Sequence, residues 1–429
     1  MKSIFKKIIS FIIGWQARLI LKKYRPKIIA VTGSVGKTST KDAIFSVMSQ
    51  FFYIRKSEKS FNSEIGIPLT IIGCENGWTD PILWLRNIWI GFSVLLFRTD
   101  YPDWLVLEVG ADRPGDIRNT TKWLKPDVVV VTTFAKVPVH IEFFPSRDAI
   151  VREKRYLVEA LKHDGTLIVN GDDVDAMKMK DTSKNISIIY GTDKMADLVA
   201  SDEQVYYENG KPRGMTFKVQ YENNIVPIVI KGSLGMQNVY SSLAALAVGL
   251  SQKVNLVKAG EALLNHETPK GRMKIISGIK NSIIIDDTYN SSPVAATSAI
   301  NTLKNIKTKG RKIAILGDML ELGKHSVEEH YEVGKLAAGS CDMLMTVGIR
   351  SRKMAEGALD AKMDDDAILQ FDDSNEVMKD IKTVIKEGDI ILVKGSQSMR
   401  MEKIVKMLMA EPAKAEEVLV RQDKEWRAR

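Results

Sequence analysis

Along most of the chain, short apolar runs alternate with stretches whose apolar positions recur every three to four residues. The first run, Lys27-Ile28-Ile29-Ala30-Val31, passes through Thr32-Gly33-Ser34-Val35-Gly36-Lys37-Thr38-Ser39-Thr40 into a helical pattern at residues 41–48. Further strands are predicted at 51–55, 104–110 and 127–132, with a strand and polar turn at 166–173. Helices are predicted at 146–161 and 241–249, and a polar, glycine-containing loop at 60–68 leads into another. Strand followed by helix through this region predicts a largely parallel, doubly wound sheet. Residues 186–232 read instead as short alternating runs with Asn and Gly turns, hence antiparallel hairpins at the domain edge. A boundary falls near 267–272. Beyond it a second αβ series has strands at 282–286, 312–316, 343–347 and 389–393. The tail, 411–429, reads as a charged, solvated helical face.

Two stretches break this rhythm. In residues 1–24, Phe5, Ile8, Ile9, Ile12, Trp15 and Leu19 recur at helical spacing, flanked by Lys2, Lys6, Lys7, Lys22 and Lys23. The apolar core is short and no small-x-small site follows, which argues against a signal peptide. It is also too interrupted to span a bilayer. An amphipathic helix fits, docked on the protein or lying on a membrane. Residues 78–104 contain an apolar run broken by Arg86 and Asn87. It reads as a buried helix, with a membrane-surface or partner-binding helix as the alternative.

Composition narrows the picture. At 429 residues, 45% hydrophobic and 27% charged, the chain has room for two or three domains and little disorder. The formal charge of +9 comes largely from scattered lysines and is weak grounds for a nucleic-acid partner. Cys74 and Cys341 stand far apart with no second ligand near them, which points to a reducing compartment and no zinc site.

The chemistry centres on the turn after the first strand. Strand, glycine turn and helix put backbone N–H groups and a helix N-terminus against an anion. Lys37 adds a point charge and Thr38 a hydroxyl for Mg²⁺. Only Ser34 and Val35 separate the two glycines, so the general phosphate-loop spacing is not met. Glu108 closes the apolar strand Trp104-Leu105-Val106-Leu107, the place where open α/β sheets keep ligands, and is a candidate to hold Mg²⁺ opposite the loop.

With Gly33 to Thr40, Glu108, His140, Lys154 and Asn238 in order, the chain resembles the Mur ligase family of ATP-dependent amide ligases. The stretches Asn62-Ser63-Glu64-Ile65-Gly66-Ile67-Pro68, Asp286-Asp287-Thr288-Tyr289-Asn290-Ser291-Ser292-Pro293, Leu316-Gly317-Asp318-Met319-Leu320-Glu321-Leu322-Gly323 and Val393-Lys394-Gly395-Ser396-Gln397-Ser398-Met399-Arg400 are most similar to its D-alanyl-D-alanine-adding, MurF-type branch. The resemblance runs from about residue 28 to 407. Three departures stand out. The segment before the phosphate loop is too short for the family's usual amino-terminal uridine-nucleotide domain, and the apolar stretch near Trp84 is outside the usual pattern. The nucleotide motif His-Asn-x-x-Asn reads Gln237-Asn238-Val239-Tyr240-Ser241.

The resemblance implies an α/β fold: a P-loop-containing, doubly wound central ATPase domain (27–268), a smaller Rossmann-like carboxy-terminal domain (269–429), and a short amphipathic segment (1–26) in front. It implies ATP and a pair of Mg²⁺ ions. Gly33, Ser34, Val35, Gly36, Lys37, Thr38 and Ser39 would cradle the phosphates, and Thr38 and Glu108 would hold one ion. His140 would hold the other, with Lys154 carbamylated into an anionic ligand. Asn238 would meet the adenine. Arg272 and Asp287 would reach the γ-phosphate and ribose from the second domain, with Tyr289 and Asn290 facing ATP and the incoming amine. The implied reaction phosphorylates a carboxylate and lets an amine attack the acyl phosphate. The expected partners are a cell-wall precursor peptide and an amino acid or dipeptide, with no nucleic acid, acted on by a single copy of the chain in the cytoplasm. The two apolar stretches add a second expectation, a membrane surface at its inner face or a lipid-linked substrate. The alternatives are a family relative with another acceptor (pseudomurein, polyglutamate or cyanophycin type) and a membrane-associated P-loop switch.

Overall fold

Apolar runs rich in Val and Ile become strands covered on both faces, and their alternation assigns each side chain to one helical layer. In the first strand, Ile28 and Ala30 enter one core cluster while Ile29 and Val31 enter the other. The computed structural model describes residues 2–58, 64–78, 80–423 and 426, with side chains from Ile8 onward. Asn62 and Ser63 of the polar loop, and the side chain of Phe5, therefore lie outside the described residues.

The first sheet contains β1 (Lys27–Thr32), β2 (Ile54–Lys56), β3 (Trp104–Glu108), β4 (Val128–Val131), β5 (Thr166–Asn170), β6 (Ile186–Gly191), β7 (Leu198–Glu208), β8 (Lys211–Tyr221) and β9 (Asn224–Lys231). Their order is β2-β3-β1-β4-β5-β6-β7-β8-β9. Pairing is parallel from β2 to β7, and β7, β8 and β9 form the antiparallel edge. Around this sheet lie α1 (Lys2–Tyr24), α2 (Lys37–Met48), α3 (Gly66–Ile72), α4 (Pro81–Leu96), α5 (Asp116–Thr121), α6 (Arg147–Glu159), α7 (Val174–Asp181) and α8 (Met236–Ser251). Helices α2 and α8 share one core cluster, and α1, α3 and α6 the other.

The second sheet holds β10 (Lys274–Ser277), β11 (Ile283–Asp287), β12 (Lys312–Gly317), β13 (Met343–Val347), β14 (Ile368–Phe371) and β15 (Ile390–Lys394) in the order β10-β11-β15-β12-β13-β14. It is parallel except for β10 against β11. The edge strands β10 and β14 are short and half-exposed, so their apolar signal is too weak to read from the sequence.

Two sequence expectations are corrected. The stretch around Trp84 is helical, but it is not a buried helix. Of its side chains only Trp84 and Asn87 are buried, with Gly91 at a close approach, while Trp89 is 69% and Leu96 74% exposed. Nor do α1 and α4 cover each other completely. They lie parallel, with the amide of Gln16 donating to Ile88 O at 2.9 Å and Lys23 Nζ donating to the carbonyls of Val94, Leu95 and Phe97 at 2.6–3.0 Å. A Cβ at position 91 would sit 2.3 Å from Gln16 Oε1, so glycine sets their spacing. Yet Phe11 on α1 remains 72% exposed. No helix among the described residues is long and apolar enough to cross a membrane. Finally, the tail is not a solvated face, because Ala415, Leu419 and Arg421 are buried against the second domain.

Candidate active site

The phosphate loop is braced by the strand beside it. Gly33 and Gly36 hold φ of 140° and 87°. A Cβ on Gly33 would meet Thr132 Oγ1 at 2.0 Å, and one on Gly36 would meet Gln237 Nε2 at 2.2 Å, so both positions demand glycine. The N–H groups of Ser34 and Val35 donate to Thr133 O at 2.8 and 3.2 Å. They fix the loop where it enters α2, and Gly36 offers no capping side chain there, so the helix N-terminus faces the place an anion would take. Burial pushes the Lys37 ammonium below the ordinary lysine range; Arg272 acts the same way, and Glu108 and Asp112 oppose it.

Thr38 and Glu108 meet directly, Thr38 Oγ1 donating to the buried Glu108 Oε2 at 2.9 Å. Parallel pairing of β1 with β3 aligns Val31 with Glu108, which delivers the carboxylate beside the loop. His140 stands in the left-handed region at φ 68°, with Nε2 3.5 Å from Asp112 Oδ1 and Nδ1 2.7 Å from Glu321 Oε2. The Nδ1 contact is at ion-pair distance without hydrogen-bond geometry. Glu321 belongs to the second domain, so the histidine lies where the domains touch. Asp112 links His140 to the phosphate loop through its influence on Lys37.

Lys154 is 4% exposed on α6. Burial drives its amine down to about 7, with Lys37 adding to the fall and Asp112, Glu153 and Glu108 resisting it. Glu153 also points inward, accepting from the N–H groups of Gly115, Ile117 and Arg118 at 2.8–3.0 Å at the start of α5.

The second domain supplies the facing wall. The Arg272 guanidinium lies 4.1 Å from the Tyr289 ring centroid, and its buried Nε has no hydrogen-bond partner among the described residues. Asp287 accepts from Lys394 Nζ at 2.7 Å and from Met273 N at 3.2 Å, and Lys394 also donates to Asn290 O at 2.9 Å. Burial lowers the Lys394 ammonium and Asp287 pulls it back. The neighbouring Asp286 is pushed up to about 6 by burial, and its Oδ2 has no hydrogen-bond partner among the described residues. Asn238 is buried at the start of α8, its amide donating to Leu234 O at 2.7 Å. Asp318 accepts from Ser351 N at 2.7 Å, a scaffold contact.

Thus Lys37, Thr38, Glu108, Asp112, His140 and Lys154 gather at the carboxyl ends of β1 and β3, while Arg272, Asp287, Tyr289 and Asn290 form a second group on β11 and its approach. Sequence reasoning missed Asp112, Gln237 and Arg421. Asp112 lies four residues past Glu108 on the same strand-end turn, so the rule that singled out Glu108 extends to it. Gln237 precedes the selected Asn238. Arg421 gave no signal; its guanidinium donates to Thr288 O at 3.0 Å and to Tyr289 O, and pairs with Glu402 at 2.9 Å.

Arranged this way, the residues can hold a nucleoside triphosphate's phosphates and divalent cations between two domains, beside an amine that is half neutral near pH 7. Sequence models of two families match: the Mur ligase middle domain over residues 87–249 and the Mur ligase glutamate ligase domain over 271–397. The UDP-N-acetylmuramoyl-tripeptide–D-alanyl-D-alanine ligase of Bacillus subtilis is 29% identical over 397 residues, covering 92% of this chain and 79% of its own. The ligase of that name from Escherichia coli is 27% identical, with coverage of 92% and 79%. The crystal structure of MurF ligase from Thermotoga maritima in complex with ADP superposes with a TM-score of 0.76 at 25% identity, covering 94% of this chain and 84% of that one. With both domain families present in order along the chain, it belongs to the Mur ligase family of ATP-dependent ligases.

Proposed function

We propose that this ligase joins D-alanyl-D-alanine, through its amine, to the terminal carboxylate of a muramoyl tripeptide precursor in the cytoplasm. The observation that carries the reading is the buried Thr38–Glu108 pair beside Lys37 and Lys154, faced by Arg272 from the second domain. The names of the Bacillus subtilis and Escherichia coli relatives support the choice of substrates.

The residues fit Mg²⁺. Thr38 and Glu108 offer hard oxygen ligands, and no group of three His, Cys, Asp or Glu among the described residues forms a closed metal cage. Such a set suits ions that keep waters and lean on substrate phosphates. Thr38 and Glu108 would hold one ion; His140 and a carbamylated Lys154 would hold the other. When bound, Mg²⁺ neutralises charge on the phosphates and on the attacking carboxylate. The near-neutral Lys154 amine suits carbamylation, because only the unprotonated form attacks CO₂.

Within this reading the α2 amides and Lys37 hold the β- and γ-phosphates while Arg272 meets the γ-phosphate across the domain gap. The precursor carboxylate attacks the γ-phosphorus, ADP leaves, and the dipeptide amine then attacks the acyl carbon and expels phosphate. Lys37 and Arg272 bear the charge that develops on the transferred group. Asp287 and Asn238 position the ribose and the base.

The test is phosphate release assayed across UDP-muramoyl peptides, their lipid-linked forms, and a panel of amino acids and dipeptides. Release that requires both a muramoyl tripeptide and D-alanyl-D-alanine supports the reading. Release that requires another amine or another acid overturns it, and release without any amine would indicate a nucleotide switch.

A further inference from the structure

We propose that the outer face shared by α1 and α4 seats the enzyme on an anionic lipid surface. Each helix turns one stripe into the core and the opposite stripe outward. On α1 the inner stripe is Ile9, Ile13, Ala17 and Ile20, and the outer one is Ile8, Phe11, Trp15, Arg18 and Lys22. On α4 the outer stripe runs through Leu85, Arg86, Trp89, Phe92 and Leu96. The helices are parallel, so the stripes lie side by side, and Trp15 meets Phe92 at the seam with ring centroids 6.3 Å apart. The result is a broad exposed apolar face of aromatic and aliphatic groups rather than scattered single residues.

Charge names the occupant. Residues 2–25 carry Lys2, Lys6, Lys7, Arg18, Lys22, Lys23 and Arg25 and no Asp or Glu, and residues 81–98 carry Arg86 and Arg98 and no Asp or Glu. Apolar side chains, tryptophans and cations on one helical face match the boundary between acyl chains and anionic headgroups. Neither helix can span the bilayer, so the contact is with its surface. A second copy of the chain fits poorly. Self-pairing would bring Arg18, Lys22 and Arg86 against their own copies with no acid within either helix to meet them.

The full chain is mixed with vesicles of phosphatidylcholine alone and with added phosphatidylglycerol, then sedimented at low and high salt. The expected result is co-sedimentation with the anionic vesicles at low salt and release at high salt. Arg86→Gln should weaken partitioning about five-fold, the worth of one cation near such a surface. Trp89→Glu should weaken it at least tenfold, with an unchanged melting temperature because Trp89 is largely exposed. Point variants are preferred to removing residues 1–24, since Ile9, Ile13, Ala17 and Ile20 belong to the core. The proposal is overturned if the full chain stays in the supernatant with anionic vesicles at low salt, or binds both vesicle types equally. It is also overturned if sedimentation velocity shows a dimer that Trp89→Glu dissolves, without vesicle binding. No step of the assay uses ATP or a precursor, so its failure leaves the ligase reading intact.

Discussion

Replacing Lys154 by methionine should stabilise the fold while abolishing ligation. The lysine is 4% exposed, and burial takes its amine from 10.5 to about 7. That fall corresponds to about 4–5 kcal/mol at about 1.4 kcal/mol per tenfold change. The sign follows from proton counting. Below about pH 7 folded and unfolded chains both hold the proton, and the full cost of a buried ammonium weighs on the fold. Between about pH 7 and 10.5 the unfolded chain holds the proton and the folded one sheds it, so wild-type stability climbs with pH and the cost fades. Methionine keeps the length and removes the charge. If half the cost is recovered, the melting temperature rises by about 4–8 °C at pH 6 in CO₂-free buffer with a chelator. The gap between variant and wild type should narrow as pH approaches 10. In ligation, Lys154→Ala should be nearly inactive and Lys154→Glu should recover part of the rate, because a carboxylate approximates a carbamate. A methionine variant that melts at or below the wild type at pH 6 would refute the burial argument. Equal turnover by Lys154→Ala and the wild type would dismiss the carbamate.

Lys37→Ala and Glu108→Ala should each lower phosphate release by about 10²–10³ or more with an unchanged far-ultraviolet spectrum, since both act on charge at the γ-phosphate; near-wild-type turnover at saturating Mg²⁺ would place the site elsewhere. Asp287→Asn strips the partner from the buried Lys394 and should cost about 3–5 kcal/mol, read as a lower melting temperature. Glu153→Gln weakens three backbone contacts at the start of α5 and should cost about 1–2 kcal/mol without displacing bound nucleotide. Arg421→Ala loosens the carbonyls of Thr288 and Tyr289 and should raise KM for ATP about tenfold with kcat nearly unchanged.

What could be read in advance tracks how local each cause is. The β1 run, the glycine turn and Glu108 at a strand end are set by neighbouring residues, and a sequence displays them. The inward turn of Glu153 is set by α5, whose first amides need an acceptor, and nothing in Glu153-Lys154-Arg155 records that helix. Arg421 sits in a charged stretch whose burial depends on Glu402 and on the backbone of Tyr289, far away in sequence. The same holds for the helix around Trp84, whose hydrophobicity is visible but whose exposed side is fixed only by α1. Asp112 was within reach, because the strand-end rule that selected Glu108 covers the turn that follows.

The proposed nucleotide site draws Lys37, Thr38 and Glu108 from one domain and Arg272, Asp287 and Tyr289 from the other, all on a single chain. Genetically this makes the two halves one unit of inheritance. A cell carrying one allele broken at Lys37 and a second broken at Asp287 makes two kinds of chain, each with one sound half and one damaged half. Where the sound halves cannot meet within one molecule, neither allele rescues the other, however much of both is expressed.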